Sequence, residues 1–262
     1  MIPRILGLPV GTSFDLDRAM LLGTLPPVLG EPPEDTFHFL RAYTGTYLKQ
    51  EILDEALVRN VAAFTRFLDV AADQSGSLVN YATISRDAGV SGKTVRAYYE
   101  VLEDTLLATK LEPYLKSARK RLVMHPKYYL FDLGVVNSLC GRTTVDALRS
   151  PAVRGNLFEQ FVVLEAYRYL SYQKPDARLY HWRSAGGAEV DLVVERGESL
   201  LAIEIKSVPV VRNRDLSGLM SFCADYPSAR PVCVCTNDRP YMIGRTPVVP
   251  WQELFGKEWL GE

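Results

Sequence analysis

The chain is poor in cysteine, histidine and net charge, and each shortage removes a class of function. Its four cysteines, Cys140, Cys223, Cys233 and Cys235, make neither a disulfide framework nor the paired spacing of a zinc site. Cys233-Val234-Cys235 alternates within an apolar run. That puts both sulfurs on one strand face and predicts buried, reduced thiols. His38, His125 and His181 are scattered; His181, in Tyr180-His181-Trp182-Arg183, reads as a packed or surface ring that could border a site. A formal net charge of -1 gives no global attraction to nucleic acid, so binding must rely on local patches. No apolar run approaches the roughly 20 residues of a membrane span, and no signal-peptide core opens the chain. The expectation is a cytoplasmic protein with no membrane partner. Ser91-Gly92-Lys93-Thr94 looks like the end of a phosphate loop, but Asp87 stands where that loop needs its first glycine, and no apolar strand leads into it. No ATP site is expected.

What remains is an ordinary globular composition, 47% hydrophobic and 23% charged, enough for one large domain or two modest ones. Proline pairs at Pro26-Pro27 and Pro32-Pro33 mark residues 24–35 as a linker or strap. Leu53, Leu57, Val61, Phe64 and Leu68 form a helical stripe between about Tyr47 and Ala72. A short helix over 82–88, the turn Gly89-Val90-Ser91 and a helix over 92–106 with Val95, Tyr99 and Leu102 inward make a helix-turn-helix pattern. Strand-like pieces at 108–114 and 128–131 flank a basic connection containing Lys116, Arg119, Lys120 and Arg121, the pattern of a wing. Lys93, Arg96 and the wing cations are the candidate nucleic-acid contacts. Glu100, Glu103 and Asp104 on the same helix oppose that reading, and winged helices also serve as protein-docking modules. After a short helix over 132–140 come a helix over 152–172 and strands near Leu179, Val190 and Ile203. A helix over 213–224, a strand over 231–236 and a terminal helix from Trp251 complete the chain.

Two strand-like runs carry charges that apolar neighbours would bury. In residues 187–194, alternation predicts Val190, Leu192 and Val194 on one face and Glu189 and Asp191 on the other. In residues 200–206, Leu201, Ile203 and Ile205 share a face, with Glu204 and Lys206 opposite. Adjacent strands would bring Asp191, Glu204 and Lys206 onto one surface, where charges are costly unless paired or holding a metal. In the preceding helix Glu159 heads the apolar stripe Val162, Val163, Ala166 and Leu170, which turns it toward whatever that helix packs on. The competing reading is a salt-bridged sheet edge with Lys206 on Glu204 or Asp191.

An Asp on one strand, Glu-x-Lys on the next and a helical Glu upstream resemble the PD-(D/E)XK nuclease superfamily, with Val190 where the pattern has Pro. The resemblance implies a divalent cation, magnesium or manganese, held by Asp191 and Glu204, with the Ile205 carbonyl and Glu159 as further ligands. It implies Glu159, Asp191, Glu204 and Lys206 as the catalytic set, Lys206 orienting the attacking water or offsetting charge on the phosphate.

The full array of motifs resembles bacterial and archaeal ATPases of the AAA superfamily that carry a C-terminal domain of unknown function. Tyr47-Leu48-Lys49-Gln50-Glu51-Ile52, Pro126-Lys127-Tyr128-Tyr129 with Asp132-Leu133-Gly134, Gly155-Asn156-Leu157-Phe158-Glu159, His181-Trp182-Arg183 and Glu189-Val190-Asp191 carry this likeness. It implies an α/β fold: a remnant of the ATPase end and linker over 1–45, a winged helix-turn-helix over 46–150, and a PD-(D/E)XK α/β sandwich with a mixed central sheet over 151–262. Two functions follow as expectations. One is a magnesium-dependent DNA nuclease. The other is a non-catalytic DNA- or protein-binding module that keeps a nuclease-like scaffold and works with an ATPase. The apolar residues Leu21, Leu22, Leu25 and Val28 are expected either to fold back on the winged helix or to dock another subunit.

Overall fold

The computed structural model describes residues 14–47, 60–115, 125–256 and 258–261, which divide into two compact units. The first holds residues 14–110 and 127–153; the second holds 111–126 and the chain from Arg154 onward. Among the described residues, no helix is long and apolar enough to cross a membrane.

Side-chain caps set most helix starts in the first unit. Helix α1 (Leu16–Leu22) begins at Asp15, which accepts the Arg18 N–H at 2.9 Å. Helix α2 (Pro33–Ala42) starts on a proline, whose missing N–H is no loss there. Helix α3 (Val61–Asp73) is capped by Asn60 on the Ala63 N–H. Val61 is exposed rather than part of the inward stripe, while Leu53, Leu57 and the motif at 48–52 lie outside the described residues. Helix α4 (Tyr81–Ala88) is capped by Asn80 and stops at Gly89, whose φ of 68° suits a residue without Cβ. Ser91 then caps α5 (Gly92–Asp104). Strands β1 (Ala108–Pro113) and β2 (Lys127–Leu130) are neighbours, and α6 (Leu133–Leu139) follows. Helices α3 to α6 share one core, in which Tyr99 meets Phe67 edge-on at 5.0 Å and stacks on Tyr128 at 4.1 Å.

The apolar N-terminal segment folds back on this unit. Leu21, Leu22 and Val28 are buried, and Leu25 packs on the same core. Two polar side chains fasten it. Asp132 accepts the Val135 N–H at 3.1 Å, capping α6, and the Thr24 N–H at 2.8 Å. Asn137 donates to the Met20 and Leu21 carbonyls at 2.8 and 2.9 Å, satisfying orphan acceptors at the end of α1. The approach is so close that a Cβ on Gly134 would lie 2.1 Å from the Leu22 carbonyl oxygen.

In the second unit, the long helix α7 (Pro151–Gln173) precedes strands β3 (Arg178–Arg183), β4 (Glu189–Arg196) and β5 (Ser199–Lys206). Helix α8 (Ser217–Asp225), β6 (Arg230–Cys235), β7 (Tyr241–Ile243) and β8 (Thr246–Pro250) follow. With the end of β1 the order is β1-β3-β4-β5-β6-β8-β7. The β3-β4, β4-β5 and β7-β8 pairs are antiparallel and the others parallel, a mixed sheet in an α/β fold. Leu219 and Phe222 of α8 cover the face formed by Val190, Val193, Ala202, Cys233 and Val248. Gly218 lets the α8 backbone lie on β4, since a Cβ there would meet the Glu189 carbonyl at 1.7 Å. Helix α7 buries Leu157, Phe158 and Phe161, the last packed edge-on against Trp251 at 5.1 Å.

Three sequence expectations differ from this arrangement. The helix expected from residue 213 begins as a 3-10 turn, Asn213–Leu216, and the terminal helix from Trp251 is only a 3-10 turn, Trp251–Phe255. The β7-β8 hairpin was not expected at all: Pro247 and Pro250 disguise β8, although Gly244, at φ 59°, marks the turn.

Asp132→Ala removes two buried acceptors at once and is expected to cost about 1–3 kcal/mol of stability. A lower urea midpoint than wild type, with only part of the loss recovered in Asp132→Asn, whose one amide oxygen replaces one of the two acceptors, checks this. Gly134→Ala is expected to destabilise at least as much through its clash.

Candidate active site

An irregularity in β4 positions the first site residue. Tyr180 faces Val193 and Trp182 faces Val190, so two steps along β3 match three along β4. Val190 and Val193 therefore enter the same cluster under α8. Val190 thus does not belong to the face that simple alternation assigns it with Leu192 and Val194. The ladder with β5 is regular from Leu192 onward, which makes Asp191 the extra residue of a bulge, a device that re-aims a side chain. Its Oδ2 accepts the Ile205 N–H at 2.8 Å, a main-chain donor on β5 that the disturbed ladder would otherwise lose.

Glu204 and Lys206 stand two apart on β5, and the Lys206 Nζ bonds Glu204 Oε1 at 2.5 Å. Glu204 is only 6% exposed. Its second oxygen, Oε2, is buried with no hydrogen-bond partner among the described residues. Cys233 pairs with Glu204 across β5 and β6, and Cys235 pairs with Lys206; both thiols are buried. Glu159 is half-buried on α7, one turn after Gly155, where a Cβ would come 3.7 Å from Ser207 Oγ at the end of β5.

The electrostatics tie these groups together. Burial first, and then the Asp191 charge, push the Glu204 carboxyl from its ordinary 4.5 up to about 8. Lys206 opposes the rise and Glu159 adds to it. Burial pulls the Lys206 ammonium down, but Asp191 and Glu204 outweigh it and hold that pKa above its ordinary value. The Cys233 thiol is raised by burial and by Glu204, which keeps it protonated. Asp191 and Glu204 thus gather around one ammonium, with Glu159 adding its charge to Glu204, the group under the greatest strain. A proton or a cation relieves the same repulsion. Among the described residues, no three His, Cys, Asp or Glu side chains already form a cage for an ion.

The other candidates lie elsewhere. His181 is buried, with Nε2 3.2 Å from the His125 carbonyl oxygen, and is a packed ring. Lys93 and Arg96 are exposed on α5, Arg96 with its guanidinium 4.0 Å over the Tyr81 ring. Exposed Glu100, Glu103 and Asp104 share that helix. Lys116, Arg119, Lys120 and Arg121 lie outside the described residues. Sequence reasoning missed Cys233 as the neighbour of Glu204, because parallel pairing across an intervening helix leaves no local signal.

Comparison with known proteins divides the chain in a similar way. Residues 13–146 match a family described as domain of unknown function (DUF8612), and residues 154–254 match one described as domain of unknown function (DUF4143). Uncharacterized proteins of Mycobacterium tuberculosis and Mycobacterium bovis are each 30% identical over 250 residues, covering 94% of this chain and 55% of theirs. The chain therefore spans about half the length of the curated relatives it matches.

The raised Glu204 carboxyl fixes a pH dependence. The folded protein keeps a proton that the unfolded chain releases above 4.5, so stability is expected to decline as the pH climbs toward about 8 and then to level off. The loss should be on the order of a few kcal/mol. Urea midpoints at pH 5 and pH 8.5 in chelator measure it. Glu204→Gln should flatten the profile.

Proposed function

The chain belongs to the DUF8612 family, and from the carboxylate cluster of its second unit we propose a divalent-metal-dependent phosphodiesterase, a DNA nuclease of PD-(D/E)XK type. The observation that carries this reading is the buried Glu204 Oε2, which has no donor among the described residues while Asp191 and Glu159 press negative charge upon it. Such an oxygen fits a hard cation, and the donor set fits magnesium or manganese. Asp191 and Glu204 would hold the ion, with Glu159 and the Ile205 carbonyl as further donors. The bound ion would supply Lewis acidity toward a phosphate oxygen and a lowered pKa for water. Lys206 would then orient the attacking water and offset charge building on the phosphate. Cys233 stays a neutral, water-excluding wall behind Glu204.

Nucleic acid would be gathered by the helix-turn-helix of α4 and α5, read as part of a winged helix, through Lys93 and Arg96 and the wing cations Lys116, Arg119, Lys120 and Arg121. DUF4143 is commonly associated with AAA-superfamily ATPases, so an ATPase is the proposed protein partner.

A second reading has its own support. Lys206 neutralises Glu204 in the structure itself, and no ready cage of three ligands exists among the described residues. This favours a regulatory DNA- or protein-binding module on a nuclease-like scaffold.

Incubation with linear, circular and single-stranded DNA in magnesium or manganese, beside a chelator control, separates the two. The nuclease reading expects metal-dependent cleavage. Lys206→Ala should cut the rate by roughly a hundredfold or more while sparing metal binding, and Asp191→Ala should impair both. Absence of both cleavage and cation binding at millimolar metal would leave the scaffold reading. Separately, Lys93→Ala with Arg96→Ala should weaken DNA binding and lower its salt slope by roughly one unit for each phosphate these cations neutralise; an unchanged slope would remove α5 from the interface.

A further inference from the structure

A cavity of about 420 Å³ in the second unit lies away from the carboxylate cluster. It lies at the opposite end of the same strands, by the β4-β5 turn. It takes Val194 and Arg196 from the end of β4, Ser199 and Leu201 from the start of β5, and Arg230 from the start of β6. Its size falls within the roughly 300–1,000 Å³ typical of small-molecule sites.

The lining has two characters. Leu170, Val194, Leu201 and Leu260, with the Trp259 indole, make an apolar wall with a flat aromatic member. Among the described lining residues, Lys174, Arg196 and Arg230 face one carboxylate, Asp176; three positive charges against one negative leave two positive. The guanidiniums are held in place rather than loose. The Arg196 Nε bonds Asp176 Oδ2 at 2.9 Å. Arg230 donates to the Glu258 carbonyl at 2.8 Å, and its guanidinium lies 5.5 Å over the Trp259 ring. The Trp259 segment is itself pinned, since the Leu260 N–H reaches the Leu254 carbonyl at 3.1 Å. Side chains already fixed by such bonds lose little entropy on gripping a ligand.

We propose that this cavity binds a small planar-ring dianion, a nucleoside 5'-monophosphate, with its phosphate toward Lys174, Arg196 and Arg230 and its base against Trp259 and the leucine wall. Two net positive charges match a phosphate monoester near neutral pH, arginine forks suit phosphate oxygens, and an indole suits a base. The cavity and the carboxylate cluster draw on different ends of β4 and β5, so occupancy of one does not require the other. The site is a ligand site whether or not the protein cleaves DNA.

The test is calorimetric titration of the full chain with AMP in chelator, with inorganic phosphate and adenosine as separate probes, and with tryptophan fluorescence in parallel. Saturable AMP binding is expected, stronger than binding of either fragment. Lys174→Ala and Arg230→Ala should each weaken it roughly tenfold, Trp259→Phe should abolish the fluorescence change, and Asp191→Ala should leave the affinity as it was. Lys174→Ala removes a surface charge and keeps the test valid if Arg230→Ala fails to fold. The proposal is overturned if AMP shows no saturable binding at millimolar concentration, or if phosphate alone binds as well as AMP. It is equally overturned if Asp191→Ala, rather than the cationic variants, removes binding.

Discussion

A carboxylate inside a β-sheet must find compensation, and Glu204 is where the second unit meets that demand. One oxygen takes the Lys206 ammonium; the other takes no donor among the described residues. Asp191 and Glu159 deepen the imbalance rather than relieve it. A sheet selected only for stability would place an apolar side chain there, as Ala202 and Leu200 stand on the same strand, because a desolvated carboxylate without full pairing opposes folding. The arrangement is therefore a stored electrostatic tension. A proton or a cation at Glu204 would release it.

The first unit shows the contrast. It too buries an oxygen without a partner, Asn137 Oδ1, but an amide oxygen is neutral and its isolation costs about 1–3 kcal/mol. The two amide bonds of Asn137 and both oxygens of Asp132 meanwhile close the end of α1 and the start of α6. Polar burial there is spent on geometry, on holding a helix and a strap against each other. In the second unit it is left as charge.

Much of this was legible in the sequence for a physical reason. The two helices expected over 82–88 and 92–106, the turn at Gly89 and the inward Val95, Tyr99 and Leu102 follow from turn residues and periodicity, which a single segment encodes; the caps Asn80 and Ser91 are added by the structure. The identity of Asp191, Glu204 and Lys206 as a group followed from charges set in apolar runs. The route to Asp191 did not. Alternation assumed a regular pleat, and the extra residue between Val190 and Val193 is a property of the pairing with β3, which no local pattern carries. The β7-β8 hairpin stayed hidden because proline in β8 mimics a strand breaker. The adjacency of Cys233 to Glu204 likewise depends on a parallel pair formed across α8.

The bulge in β4 makes spacing a functional quantity. From Leu192 toward the C-terminus, β4 is in step with β5; with β3 it is paired on both sides, but the register shifts by one residue between Val193 and Val190. Asp191 is the residue that absorbs the difference. Shortening β4 by one residue at this point would restore an unbroken ladder and please the sheet, yet it would erase the position from which a carboxylate reaches the Ile205 N–H. Conservative exchanges along this strand preserve the count, and an insertion or deletion does not, whatever residue it adds or removes. In this strand, chain length positions Asp191 as much as any side chain does.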